Sequence, residues 1–172
     1  MDILYRTYVD GLMKMQPDKR FFPDANSTLR FTYGKVQGFE PKDGVVYNYY
    51  TTIDGIIEKS TQTNVPDYVP PKKLVELYEK KDFGQYAVNG TVPVAFIGTN
   101  HTTGGNSGSP VIDSNGYLIG INFDRCWEST MSDVMFDPNY CRNIALDIRY
   151  TLFVIDKFAG AGHLLKEMNI VY

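Results

Sequence analysis

The sequence is poor in the residues that mark disulfide-rich, membrane-spanning or nucleic-acid-binding proteins. Cys126 and Cys141 are its two cysteines; they could pair, but two free thiols are the commoner arrangement. No apolar run reaches the roughly 18 residues needed to span a bilayer, and the first residues lack the basic start and apolar core of a signal peptide. A formal net charge of −3 gives no general attraction to nucleic acid or anionic lipid.

The overall composition is typical of a folded chain that is rich in β-sheet. Hydrophobic residues make up 43% and charged residues 22% of the 172, which argues against disorder and suits one domain with an ordinary core. Aromatic residues are frequent at 14%, and this favours β-structure or a binding surface.

The spacing of apolar residues predicts strands between helices at the two ends of the chain. Helical spacing occurs in residues 2–15, near 71–81 after Pro70-Pro71, and over 148–158, where Asp147 could cap the helix. We expect the second of these helices to pack on the outside of the strands. Alternating or apolar runs predict strands at residues 29–33, 45–49, 92–99, 110–113 and 117–123. We therefore divide the chain into a helix of a preceding helical subdomain at 1–20, a β-barrel at 21–146 and C-terminal helices at 147–172.

The segment from Thr102 to Val111 holds a small nucleophile between glycines, with strands predicted on both sides. Ser107 is the candidate nucleophile, because the neighbouring glycines let the backbone turn tightly and leave space for a substrate. The N–H groups of Gly105 and Ser107 are two residues apart, as in a chymotrypsin-type oxyanion hole.

Other interpretations of this segment start from the same residues. A Gly/Ser/Asn composition would also form a simple loop between two strands. A phosphate-binding loop fits less well, because no Gly-Lys-Ser/Thr follows the glycines. An α/β-hydrolase elbow fits badly, since Pro110 and a β-rich continuation stand where a helix should follow the serine.

A serine nucleophile needs a base, and the sequence contains two histidines. His101 lies six residues before Ser107, too close in sequence to approach from the opposite side of a cleft, and His163 lies near the end of the chain. We expect both to be surface or structural residues. No metal or cofactor is indicated: Asp113 begins a segment like a calcium loop, but Leu118 occupies the position of the required glycine.

Several motifs resemble the bacterial dipeptidyl peptidase 7 and 11 family of chymotrypsin-like serine peptidases, which release dipeptides from the N-termini of peptides. The serine region carries the likeness first, as Thr99-Asn100-His101-Thr102-Thr103-Gly104-Gly105-Asn106-Ser107-Gly108-Ser109-Pro110-Val111. Further matches are Asp24-Ala25-Asn26-Ser27-Thr28-Leu29-Arg30, Thr51-Thr52-Ile53-Asp54-Gly55, Asn122-Phe123-Asp124-Arg125, Met131-Ser132-Asp133, Cys141-Arg142-Asn143, Asp147-Ile148-Arg149-Tyr150 and Asp156-Lys157-Phe158-Ala159-Gly160-Ala161-Gly162-His163-Leu164. The likeness covers nearly all of the chain and corresponds to the C-terminal part of a longer family enzyme.

The resemblance implies a mainly β fold, the C-terminal β-barrel half of a chymotrypsin-like double barrel, with helices at both ends. It implies Ser107 as nucleophile and Gly105 as an oxyanion-hole donor, while the histidine base and its aspartate come from an N-terminal barrel that this chain lacks. The chain alone should then be inactive. The complete enzyme is expected in the periplasm or at the cell surface and could form a homodimer.

Two substrate-binding residues are also implied by the resemblance. Asp124 matches a position that binds the free ammonium group of the substrate. Arg125 matches a position that is arginine in members preferring Asp or Glu before the cleaved bond, and glycine in members preferring hydrophobic residues. A guanidinium offers a planar fork to a carboxylate and keeps its charge. Without the resemblance, the two residues would pass for an exposed acid–base pair.

Two alternatives keep the fold and change the activity. A non-catalytic binding or interaction module would explain why no base and carboxylate are evident in this chain. Catalysis within the chain would instead require His101 to act on Ser107, and labelling of the isolated chain by an organophosphonate would distinguish it.

Overall fold

The computed structural model of the chain describes residues 2–21, 27–63 and 65–171. The helices in these ranges are α1 (Asp2–Met15), α2 (Ile53–Gln62), α3 (Lys72–Glu79) and α4 (Ile148–Phe153). The strands are β1 (Phe39–Lys42), β2 (Val45–Tyr47), β3 (Tyr50–Thr52), β4 (Pro93–Gly98), β5 (Pro110–Ile112), β6 (Leu118–Arg125) and β7 (Asn143–Asp147). The predicted mainly β fold with helices at both ends is confirmed.

An antiparallel sheet of five strands, in the order β3-β4-β7-β6-β5, forms the body of the molecule. Strand β7 lies at its centre and pairs with β4 through Ala95↔Leu146 and with β6 through Ile121↔Leu146. Strand β7 was not predicted. Its five residues begin with Asn143 and end with Asp147, and both polar side chains are buried, so the segment lacks an apolar run that would mark it.

The strand predicted at residues 29–33 is wrong. Leu29, Phe31 and Tyr33 are 83%, 84% and 89% exposed, and this segment has no strand assignment. The chain joins the sheet only at the next residues, through an isolated bridge between Val36 and Gly98. This segment therefore has the alternating pattern of a strand but no partner strand to pair with. The prediction at 45–49 is right in part, because β2 pairs with β1 in a separate hairpin.

The main hydrophobic core lies between the sheet and helices α2, α3 and α4. Its buried members come from the three helices and from the chain between α3 and β4: Ile53, Leu74, Leu77, Phe83, Tyr86, Val92, Leu152 and Phe153. Helix α3 confirms the helix predicted near 71–81, and its buried leucines belong to this core. Helix α2 was not predicted, since Gly55 and a short apolar pattern weaken the helical signal.

The terminal helices form where the sequence predicts them. The Asp147 carboxylate caps α4 by accepting the Arg149 backbone N–H at 2.9 Å and also pairs with the Arg149 guanidinium at 2.6 Å. A π-helical turn, Val154–Phe158, extends α4, and Gly160, with φ at +70°, follows its end. In the described parts of the chain, no helix is both long enough and apolar enough to cross a bilayer.

A partly buried hydrogen-bond cluster fixes the start of α2 against the core. The Asp54 carboxylate accepts from the hydroxyls of Thr52 at 3.0 Å, Tyr78 at 2.8 Å and Thr91. These bonds lower the pKa of Asp54, with the Thr91 hydroxyl contributing most. The carboxylate thus connects α2, α3 and the segment that leads into β4.

We predict that Asp54→Asn lowers the free energy of unfolding by about 2 kcal/mol at pH 7, because a charged acceptor is lost from three hydrogen bonds. The pKa of Asp54 is lower in the folded protein, so its stabilisation is complete above pH ~4 and disappears as the pH falls through the folded value. Urea unfolding at several pH values measures this. The exposed Asp67 provides the matched control, Asp67→Asn, and an equal effect of both substitutions would contradict the assignment.

Candidate active site

The serine loop, residues 99–109, connects β4 to β5 and carries Ser107 on the surface of the molecule. The Ser107 side chain is exposed, and its hydroxyl donates a long hydrogen bond of 3.4 Å to the Phe123 carbonyl oxygen. This is the one hydrogen bond of the Ser107 hydroxyl within the described ranges. The hydroxyl is therefore available to an external base and an external electrophile.

Hydrogen bonds within the loop hold its backbone in a tight turn. The Asn106 side chain accepts the Thr103 backbone N–H at 2.9 Å, and the Asn106 N–H donates to the Thr103 carbonyl at 3.2 Å. Gly105 and Gly108 have φ angles of +92° and +83°, a region that side chains with a Cβ disfavour. Gly105 before Asn106 and Gly108 after Ser107 thus provide the turn that exposes the serine.

Asn122 of β6 attaches this loop to the sheet. It is 6% exposed, its side-chain amide donates to the Asn106 carbonyl at 3.2 Å, and its backbone exchanges bonds with Gly108 and Ser109 at 2.8 and 2.9 Å. The amide of Asn143 donates to the Asn122 side-chain oxygen at 2.9 Å. Asn122 had no predicted role of its own. A polar residue within the apolar run at 117–123 was the signal that could have indicated one.

The amides of Gly105 and Ser107 have no hydrogen-bond acceptor among the residues that the structure describes. Both residues are exposed, so these N–H groups can bond to water or to a bound ligand. Two unpaired N–H groups beside an exposed serine hydroxyl have the composition of an oxyanion hole. The structure therefore leaves both predicted donors available to an anion.

A cavity of about 110 Å³ brings three of the four predicted site residues together. Its walls are formed by Thr102, Thr103, Gly104, Ser107, Asn122, Phe123, Asp124 and Arg125. The nucleophile candidate comes from the serine loop, whereas Asp124 and Arg125 come from the end of β6. Gly105 belongs to the same loop without lining the cavity. The pairing of β6 with β7 shifts register between Asn122 and Asp124, next to the point where these residues reach the cavity.

The two charged residues of the cavity have different surroundings. Asp124 is exposed, and its carboxylate accepts the backbone N–H of Arg125 at 2.8 Å. The Arg125 side chain is 25% exposed and forms a two-bond ion pair with Asp133, at 2.8 and 2.6 Å. The Asp133 carboxylate raises the pKa of Arg125, and the guanidinium lowers the pKa of Asp133. Arg125 is therefore a fixed cation at the edge of the cavity.

Neither histidine is hydrogen-bonded to Ser107. The His101 Nε2 atom lies 3.2 Å from the Ser132 carbonyl oxygen, and its ring stacks on Phe136 with centroids 4.5 Å apart. His163 is exposed in the segment after α4. Within the described chain, no group of three or more His, Cys, Asp or Glu side chains is placed to hold a metal ion.

The two cysteines and Arg142 have structural explanations. Cys126 and Cys141 are free thiols, as favoured above, and burial raises the pKa of Cys126 to about 11. Arg142 is buried, and its guanidinium donates to the carbonyls of Gln37, Gly38 and Pro138 at 3.1, 3.2 and 2.8 Å. It joins the start of β7 to the segment before β1. The first residues of one motif, Asp24, Ala25 and Asn26, lie outside the described residues.

Comparison with known proteins finds relatives that match nearly the whole chain. The family model described as peptidase S46 matches residues 1–170. The chain is 56% identical over its full length to an Asp/Glu-specific dipeptidyl-peptidase of Flavobacterium psychrophilum, of which it covers 24%. It is 57% identical over 99% of its length to a dipeptidyl-peptidase 7 of Phocaeicola vulgatus, again covering 24% of that protein.

Solved structures show the same similarity. The crystal structure of Porphyromonas endodontalis DPP11 in complex with the dipeptide Arg-Asp matches 94% of this chain with a TM-score of 0.84 and 50% identity, over 23% of its own chain. The complex of the same protein with Arg-Glu gives the same values. The chain thus spans about a quarter of the length of the relatives that it matches.

We predict that Gly108→Ala destabilises the protein by about 1 kcal/mol, because alanine at φ of +83° is strained while nothing lies within 4 Å of the added Cβ. Gly104→Ala is the control: its Cβ also meets open space, but the backbone there is outside the left-handed region. Denaturant unfolding of both variants measures the difference. Equal stability of the two variants would contradict the loop conformation described here.

Proposed function

The chain belongs to the peptidase S46 family, and from this premise we propose that it is the nucleophile-bearing part of a serine dipeptidyl peptidase that prefers Asp or Glu before the cleaved bond. The observation that carries the proposal is the shared cavity of Ser107, Asp124 and Arg125. The nucleophile, the anion and the cation correspond to the three groups of such a substrate: the carbonyl that is attacked, the free ammonium group and the acidic side chain.

The proposed chemistry starts at the exposed Ser107 hydroxyl. Its oxygen attacks the carbonyl carbon of the second residue of the substrate. The negative charge that develops on the carbonyl oxygen is bound by the Gly105 and Ser107 amides. A histidine base accepts the serine proton and then donates it to the leaving amine. We propose that this histidine and its aspartate belong to an N-terminal barrel of the complete enzyme, and that the 172-residue chain alone is inactive.

Asp124 is proposed to bind the free N-terminus of the peptide. An ammonium group held by a carboxylate at a fixed distance from Ser107 would place the second residue of the substrate at the nucleophile. Asp124 fits this role because its carboxylate is exposed and its recorded hydrogen bond is to the neighbouring N–H of Arg125, which leaves acceptor capacity for an ammonium. This anchoring would explain the release of dipeptides rather than longer products.

Arg125 is proposed to select the acidic side chain of that second residue. Overall identity alone does not decide the specificity, because one relative named Asp/Glu-specific and one named dipeptidyl-peptidase 7 match the chain at 56% and 57%. The choice therefore rests on the residue in the cavity. A guanidinium at its wall provides a permanent charge and a planar fork for a carboxylate.

The setting of the complete enzyme is likewise a proposal. We infer that the five-stranded sheet is part of the C-terminal half of a chymotrypsin-like double barrel, and that the enzyme acts in the periplasm or at the cell surface. A homodimer of the complete enzyme is proposed from the family resemblance alone.

We predict that Arg125→Gly in the complete enzyme lowers kcat/KM for dipeptide substrates with Asp or Glu before the cleaved bond by ~100-fold or more, because a charge-assisted fork worth about 3 kcal/mol is lost. Substrates with a hydrophobic residue at that position should be cleaved as well as before, or better. Steady-state kinetics on matched chromogenic dipeptides measures both values. Equal losses on the two substrate types would contradict the role of Arg125.

Ser107→Ala is the control in the same assay. It should abolish turnover of both substrate types, because the nucleophile is removed and not the specificity. Turnover close to that of the unsubstituted enzyme would place the nucleophile elsewhere; the slow residual rate that an intact oxyanion hole and substrate binding still provide would not.

A further inference from the structure

We propose that Asp133, together with Ser132, is a positioning pair that holds the Arg125 guanidinium so that its free edge faces the substrate carboxylate. This inference rests on the proposed function, since it assumes that Arg125 binds an acidic side chain. It assigns a role to two residues outside the cavity.

The hydrogen bonds of Arg125 occupy one edge of the guanidinium and leave another edge open. Nη1 donates to the Ser132 hydroxyl at 2.6 Å and to Asp133 Oδ1 at 2.8 Å, and Nη2 donates to Asp133 Oδ2 at 2.6 Å. These bonds use three of the five N–H groups. Among the residues that the structure describes, no acceptor meets the Nε–H group or the second Nη2–H group of Arg125.

The two unused N–H groups lie on the same side of the planar guanidinium. Nε and Nη2 together form a second fork, which matches the two oxygens of a carboxylate as the outer fork matches Asp133. Arg125 can therefore bind a substrate carboxylate without releasing Asp133. The arrangement explains how a cation that is already paired can still recognise an acid.

The location of the partners supports positioning and not competition. Arg125 lines the cavity beside Ser107, whereas Ser132 and Asp133 are not among the residues of its walls. They contact the guanidinium from outside the cavity. A substrate carboxylate entering the cavity would thus approach the edge that Asp133 does not occupy.

The positioning pair is itself fixed to the sheet. Both residues end the 3₁₀ segment Trp127–Asp133, which begins directly after β6. Ser132 is buried, and its carbonyl oxygen lies 3.2 Å from His101 Nε2. At the other end of the segment, the buried Ser129 hydroxyl accepts the Arg142 backbone N–H at 2.7 Å. These contacts fix the segment at two points and so hold the Asp133 carboxylate in place.

The exposure of the ion pair separates this role from a stabilising one. The side chains of Arg125 and Asp133 are 25% and 48% exposed, and ion pairs that are partly exposed contribute little to folding. What the pair supplies is one orientation for a long, flexible side chain. Immobilising such a side chain when a substrate binds would otherwise weaken binding by roughly 3- to 10-fold.

The test is the kinetic behaviour of Asp133→Asn and Asp133→Glu in the complete enzyme. We expect Asp133→Asn to lower kcat/KM for Asp and Glu substrates by ~3- to 10-fold, mainly through KM, because the orientation of Arg125 is lost before binding. Cleavage of hydrophobic substrates should be unchanged. Asp133→Glu keeps the charge and the fork and should restore part of the loss. Asp43→Asn, in the exposed turn between β1 and β2, is the matched control.

Combination with Arg125→Gly distinguishes positioning from other effects. If Asp133 acts through Arg125, adding Asp133→Asn to Arg125→Gly causes no further loss on acidic substrates. The proposal is overturned if the two losses multiply, if Asp133→Asn affects both substrate types equally, or if it raises activity on acidic substrates, as removal of a competing carboxylate would. Thermal unfolding of each variant checks that the fold is intact. Failure of the proposed function would appear separately, as an unselective effect of Arg125→Gly alone.

Discussion

The structure depends on the attachment of the serine loop to β6 through the buried side chain of Asn122. Its amide and backbone hold Asn106, Gly108 and Ser109, while its side-chain oxygen accepts from Asn143 of β7. Each buried hydrogen-bonding group of this amide that lost its partner would cost about 1–3 kcal/mol of folding free energy. These bonds therefore hold the loop in its position. The central strands of the sheet thereby determine where the Ser107 hydroxyl lies.

The same strand supplies both the anchor of the nucleophile and the residues that face the substrate. Asp124 and Arg125 follow Asn122 after one intervening residue, so β6 both places the charged groups and anchors the loop that carries Ser107. Sites built on regular elements hold their groups more accurately than sites on loops alone. The groups with unused hydrogen-bonding capacity, namely the Gly105 and Ser107 amides and one edge of Arg125, all belong to this region.

Local sequence was sufficient for the residues whose chemistry is local. The serine loop, the two strands that follow it, α1, α3 and the Asp147 cap were predicted because glycines and periodicity act over a few residues. The placement of β7 at the centre of the sheet depends on pairing with strands distant in sequence, and five residues with polar ends do not reveal it. The exposed apolar residues at 29–33 show the converse, a strand pattern without a partner. Likewise, Asn122 and Asp133 acquire their roles from residues that only the fold brings close.

The central claim is that the Ser107 hydroxyl and the two unpaired amides form one preorganised site. A crystal structure of the complete enzyme inactivated by a dipeptidyl phosphonate with an acidic side chain tests it most directly. The account predicts a covalent bond from Ser107 Oγ to phosphorus, with a phosphonyl oxygen about 2.7–3.1 Å from the Gly105 and Ser107 nitrogens and no rearrangement of the loop. A phosphonate bonded to another residue, or an oxygen directed away from both amides, would contradict the account.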